Sequence, residues 1–162
     1  MTIKHIRVDE RLIHGQVATV WTHSLNVDRI AVVNDKVVKN ELEINALKLA
    51  RPAGIKLSIL SVEKAVRNFN AGKYDDDEVL VLFRNIKDVR RAFDLGLKIT
   101  TFNVGNLSHK EGQTKIKKSV SLSDEDITIL RTLVNDGIEV TAQMIPNEPA
   151  TGILSFIDKA NQ

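Results

Sequence analysis

The sequence predicts an α/β protein built on an open, doubly wound, mainly parallel sheet, with helices on both faces and some antiparallel pairing toward the C-terminus. Two observations predict this class. Ile30-Ala31-Val32-Val33 and Val79-Leu80-Val81-Leu82-Phe83 are continuously apolar, as strands covered on both faces must be. Segments of helical period alternate with such runs for most of the chain, and that order implies right-handed β-α-β crossovers.

Taken in order, Lys4 to Val8 reads as the first strand, followed by a helix spaced by Ile13, Val17, Val20, Trp21 and Leu25. After the run at Ile30, a second helix is spaced by Leu42, Ala46, Leu49 and Ala50. Ile55 to Leu60 reads as a strand, and Ser61 stands at the cap position of a helix patterned by Val62, Ala65, Val66 and Phe69. Beyond the run at Val79, a helix from Ile86 to Leu95 stops at Gly96. Ile99 to Phe102 and Lys117 to Leu122 read as strands. Ser123-Asp124-Glu125-Asp126 then opens a helix through Ile127, Leu130 and Val134, with its acids where the helix dipole favours them. Ile138 to Met144 closes the series, with Ile138, Val140, Ala142 and Met144 on one face.

A length of 162 residues at 43% hydrophobic content supports one sizeable core, so residues 1–162 read as one domain. No apolar stretch approaches the roughly 18 residues of a membrane span, and the N-terminus lacks the layout of a signal peptide. A cytoplasmic location is expected. With no cysteine, disulfides, thiolate metal sites and cysteine nucleophiles are all excluded. The balance of 23 basic and 21 acidic residues is too even for nucleic-acid binding by bulk charge. Five Phe, one Tyr and one Trp also leave little for base stacking. No phosphate loop of the Gly-x-x-x-x-Gly-Lys kind, Gly-x-Gly-x-x-Gly, His-Glu-x-x-His or Gly-x-Ser-x-Gly motif is present.

In a doubly wound sheet, ligands bind beyond the carboxyl ends of the strands. Four polar segments fall there: Asp9-Glu10-Arg11-Leu12-Ile13-His14-Gly15-Gln16, Asn34-Asp35, Arg84-Asn85 and Asn103-Val104-Gly105-Asn106. Facing one another, they would form an anion site. A neutral imidazole carries a lone pair suited to attack on phosphorus, and the phosphoramidate so formed transfers readily. Arg11 supplies a planar cation for phosphate oxygens. The helix starting near His14 adds free N–H groups and a positive dipole end, and Gly15 lets the backbone come close. Asp9 is expected to accept a hydrogen bond from one imidazole nitrogen and so fix the tautomer.

Other polar residues have plainer readings. His5 lies inside the first strand, His23 about half a helical turn round from His14, and His109 in a solvated loop. Lys115, Lys117 and Lys118 read either as attracting an acidic partner or as guards of an edge strand, and Asp75-Asp76-Asp77-Glu78 as a solvated turn.

The segment Arg7-Val8-Asp9-Glu10-Arg11-Leu12-Ile13-His14-Gly15-Gln16-Val17 resembles the active-site segment of the mannose, fructose and sorbose family of phosphotransferase-system (PTS) IIB subunits. The likeness continues through residues 29–35, Leu82-Phe83-Arg84-Asn85, Phe102-Asn103-Val104-Gly105-Asn106, Glu111-Gly112 and residues 120–126. It implies that His14 receives a phosphoryl group from a histidine of the IIA subunit. It also implies that His14 passes the group to a sugar entering through the membrane subunits IIC and IID. Arg11 would bind the phosphate, and Asp9 would orient the loop. Gly15, Gln16, Asn34, Asp35, Arg84, Asn85, Asn103, Gly105 and Asn106 would contact phosphate or partners. No metal or cofactor is implied. The protein would be cytoplasmic and held at the membrane through IIC and IID, which would make most of the sugar choice. Asn106, where many mannose-type members have Gly, leans toward the hexosamine branch, including N-acetylgalactosamine systems. Two other functions would use the same residues: a histidine-dependent phosphatase, and a regulatory module that binds an anion without covalent change.

Overall fold

The two apolar runs lie side by side within a seven-stranded sheet in a computed structural model of the chain, which describes residues 2–161. Its strands are β1 (Ile3–Asp9), β2 (Arg29–Val33), β3 (Lys56–Leu60), β4 (Val79–Phe83), β5 (Thr101–Asn106), β8 (Glu139–Ala142) and β9 (Thr151–Gly152). The intervening β6 (Thr114–Lys117) and β7 (Val120–Leu122) form a separate antiparallel pair. Spatial order in the main sheet is β3-β2-β4-β1-β5-β8-β9. All its pairings are parallel except β8 with β9. The mainly parallel, doubly wound arrangement expected from the sequence is therefore present.

Connections run through α1 (Gly15–Leu25), α2 (Glu41–Ala50), α3 (Val62–Asn70), α4 (Ile86–Asp94), α5 (Asp124–Asn135) and α6 (Ile153–Ala160). β4 returns to fill the place between β2 and β1, and α4 then carries the chain past β1 to β5. The direction of winding thus reverses around β1, where a crevice opens beyond the strand ends.

Alternation along each strand sends side chains to two separate cores. Ile6, Val8, Ala31, Val33, Val81, Phe83, Phe102 and Val104 pack with buried residues of α3, α4, α5 and α6. Ile30, Val32, Leu80 and Leu82 pack on the other face with Ala18 and Trp21 of α1 and Leu47 of α2. Ser61, Asn85 and Ser123 cap their helices through bonds to the N–H groups of Lys64, Asp88 and Asp126.

Several boundaries differ from expectation for physical reasons. Lys117 to Leu122 is a hairpin, not one strand: it turns at Lys118-Ser119, and Lys117 is opposite Val120. Asn103 to Asn106 continues β5 instead of forming a loop, because its polar side chains meet polar partners described below. The stripe Leu42, Ala46 and Leu49 is outward-facing, with Leu42 at 81% and Leu49 at 89% exposure, while Leu47 is the buried anchor of α2. Lys117 lies on β6, an edge of the two-stranded sheet, but its ammonium pairs with Glu148 and lies 5.1 Å from the Phe156 ring. Within the acidic run, Asp77 accepts from Arg29 at 2.8 Å and Lys56 at 3.0 Å, so that turn is tied to the sheet.

Candidate phosphoryl site at the end of the first strand

The loop from β1 to α1 is held at both ends and in the middle. Glu10 donates its N–H to the Asn106 carbonyl at 3.0 Å, and Leu12 donates to the Asp9 carbonyl at 2.9 Å. Leu12 takes a left-handed φ of 62°, which costs a non-glycine residue about 1–2 kcal/mol. Burial of Leu12 and Ile13, at 2% and 6% exposure, opposes that strain and pins the loop to the core under α1.

His14 follows at the N-cap of α1, exposed and without a capping side-chain bond. The first intrahelical bond runs from Ala18 N–H to the His14 carbonyl at 3.2 Å, so the N–H groups of Gly15, Gln16 and Val17 precede it. Gly15 has a φ of +33°, a left-handed value that glycine takes without penalty, and space above its Cα is open. An exposed imidazole thus stands beside the positive end of a helix.

Asp9 does not orient that imidazole. Its carboxylate, 1% exposed, is taken up by Arg11 instead: Oδ1 accepts from the Arg11 N–H at 2.9 Å and Nε at 3.1 Å, and Oδ2 accepts from Nη2 at 3.0 Å. The expected Asp9–His14 bond fails because the carboxylate lies under the loop and the ring lies outside it. The Arg11 side chain is 28% exposed.

Beneath Asp9 the sheet is polar, which the apolar pattern did not foretell. His5, Arg7 and Asp9 alternate with Ile6 and Val8 and so face α1. Arg7, 1% exposed, donates from Nη1 to the Gln143 carbonyl at 2.8 Å, and its Nη2 lies 3.5 Å from Asp9 Oδ2. Its guanidinium carbon is 5.0 Å from the centre of the Trp21 ring. Burial pulls the Arg7 pKa down to about 10, against the opposing pull of Asp9, so the group keeps its charge at neutral pH. Asn103 is fully buried, donating to the Gln143 carbonyl at 2.9 Å and accepting from Thr141 at 3.2 Å. Gly105 leaves the space Arg7 fills: a Cβ there would lie 2.1 Å from the guanidinium carbon. Arg7 and Trp21 were missed as site residues, although a cation two places before Asp9 in a strand shares its face.

Three of the four polar segments meet. Glu10, Arg84, Asn85, Ser108 and Lys110 line a cleft of 280 Å³ at the strand ends. Arg84 donates from Nε to the Glu10 carbonyl at 3.2 Å and from Nη2 to Glu43 at 2.9 Å. Asn106 joins through its carbonyl bond to Glu10. Asn34 and Asp35 are engaged elsewhere. Asn34 Oδ1 accepts from the N–H groups of Lys36 and Val37, and its amide donates to Asp88. Asp35 accepts from the Val62 N–H at 2.9 Å and pairs with Arg91, contacts that lower its pKa despite the opposing effect of burial. Gln16 is exposed in the first turn of α1.

Residues 3–162 match the model of a protein family described as the PTS system sorbose subfamily IIB component. The chain belongs to this family. It is 38% identical over 159 residues to the sorbose-specific EIIB component of Lacticaseibacillus casei, covering 98% of this chain and 97% of that one. It is 36% identical over 162 residues to the mannose-specific EIIAB component of Escherichia coli strain K12, spanning all of this chain but 50% of that protein. The crystal structure of the IIBSor domain of the sorbose permease from Klebsiella pneumoniae superposes with a TM-score of 0.92. It is 36% identical, with 98% of each chain covered. As a IIB component, the chain is the phosphoryl-carrying part of a sugar phosphotransferase. No helix among the described residues is long and apolar enough to cross a membrane.

Proposed function

We propose that His14 is the phosphoryl carrier of this IIB component. The observation that carries the reading is the placement of one exposed imidazole on a pinned loop at the winding reversal, at the N-terminus of α1 and three residues beyond Arg11. A ring nitrogen of His14 attacks the phosphorus of a phosphohistidine on the IIA subunit. The new N–P bond forms as the donor N–P bond breaks, and that electron pair returns to the donor ring. A sugar hydroxyl at IIC and IID then attacks the same phosphorus. The His14 N–P bond breaks with its electron pair going back to the imidazole, and the hydroxyl proton is released to water.

Such transfers depend on in-line positioning and on charge stabilisation of the phosphoryl oxygens. Arg11 and the N–H groups of Gly15 and Gln16 supply the charge, and the cleft at Glu10, Arg84 and Asn85, tied to Asn106 through Glu10, faces a docked partner. Asp9, Asn103 and Gly105 hold the frame from beneath, while Asn34 and Asp35 brace the neighbouring helices. The chain acts as one domain over 1–162, in the cytoplasm and recruited to the membrane through IIC and IID. Its sugar is a hexose or N-acetylhexosamine. The relatives named above are sorbose- and mannose-specific, so the hexosamine lean rests on Asn106 alone.

Mass spectrometry after exposure to a phosphorylated IIA domain tests the proposal. A single acid-labile label on His14, absent in His14→Gln, is expected. A label that survives His14→Gln overturns it, whereas rapid loss of label to water would indicate a phosphatase, and no label at all an anion-binding module.

A further inference from the structure

We propose that Arg7 is a positioning residue of the phosphoryl site, acting on Arg11 through the shared carboxylate of Asp9. The proposal rests on the reading of His14 and Arg11 above. Arg7 lies in the middle of β1 with Ile6 and Val8 of the apolar core on either side. A buried ion pair of this kind adds little net stability, because desolvating both charges offsets their attraction. A well-packed apolar side chain would serve β1 as well.

What the fold builds around Arg7 is instead a fitted berth. The Gln143 carbonyl receives Nη1 at 2.8 Å, and Met144 Sδ lies 3.8 Å from Nη2. Trp21 forms one wall, itself fixed by its indole N–H bond to the Met144 carbonyl at 3.0 Å. Gly105 forms another, since any Cβ there would displace the guanidinium. With 1% of its surface exposed, Arg7 does not reach a phosphoryl group at His14.

Its reach ends at Asp9 Oδ2, the oxygen that also receives Arg11 Nη2. The Arg11 plane is set by where that carboxylate sits, because three Arg11 N–H groups converge on it. Arg7 therefore transmits the rigidity of the sheet to the exposed guanidinium. A guanidinium matches two carboxylate or phosphate oxygens through a fixed fork, so its orientation matters as much as its charge.

A double-mutant cycle on single-turnover transfer separates positioning from general support. The variants are Arg7→Lys and Gly105→Ala, each alone and combined with Arg11→Lys, with a phosphorylated IIA domain as donor. Each single variant should slow transfer to His14 about tenfold with unchanged far-ultraviolet circular dichroism. In the Arg11→Lys background the further loss should shrink to under about twofold, since residues acting in series are not additive. Equal losses in both backgrounds would overturn the proposal.

A second measurement does not need the transfer reaction. In 15N-labelled protein, exchange of the Arg11 Nε–H with water should quicken about tenfold or more in either variant. The Arg90 Nε–H, bonded to Asp94 at 3.0 Å, should be unaffected. Unchanged Arg11 exchange overturns the proposal even if transfer slows. Failure of the parent protein to label His14 would instead refute the carrier assignment, and the exchange data would still decide whether Arg7 sets Arg11. Should Gly105→Ala not fold, Arg7→Lys carries the test, and folding regained in Gly105→Ala with Arg7→Ala would place the clash at this berth.

Discussion

Arg11 meets two demands with one planar group: its fork holds Asp9 while part of the guanidinium remains in solvent. An ammonium makes point contacts and cannot span both carboxylate oxygens in that way. Arg11→Lys should therefore fold with only a small loss of stability, yet transfer about tenfold more slowly in a single-turnover assay. Full-speed transfer would remove the reason for an arginine there. His5 is a second residue whose environment makes a prediction. Its ring stacks on Trp21 with centroids 4.8 Å apart, and its Nε2 is buried without a hydrogen-bond partner. Burial, helped by the charge of Arg7, lowers its pKa from 6.5 to about 4. The unfolded chain then binds the proton more readily than the folded one. The stability that neutral His5 permits is complete above pH 6.5 and is lost as pH falls toward 4, on the order of 3 kcal/mol at most. His5→Phe keeps the stack without the titration, so its urea midpoint should fall less between pH 7 and pH 4.5. A fall equal to the parent's would place the acid sensitivity elsewhere.

Among the elements, α2 shows how a correct helix can be read with the wrong face inward. Leu42, Ala46 and Leu49 have the spacing of a buried stripe, but Leu47 is the residue that enters the core. Leu47→Ala should cost about 2–5 kcal/mol in chemical denaturation, and Leu49→Ala less than about 0.5 kcal/mol. Comparable losses at both positions would mean that the outer stripe is covered in solution. Central strands were legible because continuous apolar runs have few other uses in a chain of this composition. The later half of β5 was not, since Asn103 and Gly105 face a buried polar layer that hydrophobicity alone does not reveal. The helix α6 was overlooked although Ile153 and Ile157 are both fully buried one turn apart; at eight residues its pattern is short. At the candidate site, chemistry and order singled out the residues of the loop. Their bonding was not legible, because which group Asp9 holds depends on the path of the loop in three dimensions.

On the scale of the whole molecule, the sheet separates two layers of unequal strength. Among the described residues, the core beneath α3, α4, α5 and α6 contains 28 buried residues, against 11 in the core beneath α1 and α2. Apolar area removed from water is the main source of stability, so the second layer should open at lower free energy than the first. The loop that carries His14 belongs to this thinner layer through Leu12 and Ile13. Its foot, however, stands on β1, which pairs with β4 on one side and β5 on the other in the interior of the sheet. The carrier role proposed for His14 would gain from this division: the surface around His14 would adapt to a donor and then an acceptor while Asp9 and Arg7 stay in place. Native-state hydrogen exchange in low denaturant can test it. Amides of α2 should exchange through a sub-global opening well below the global unfolding free energy, while those of β1, β4 and α4 should exchange only with global unfolding. If α2 joined the same isotherm as β1, the two layers would unfold as one unit, and adaptation near His14 would have to come from side chains alone.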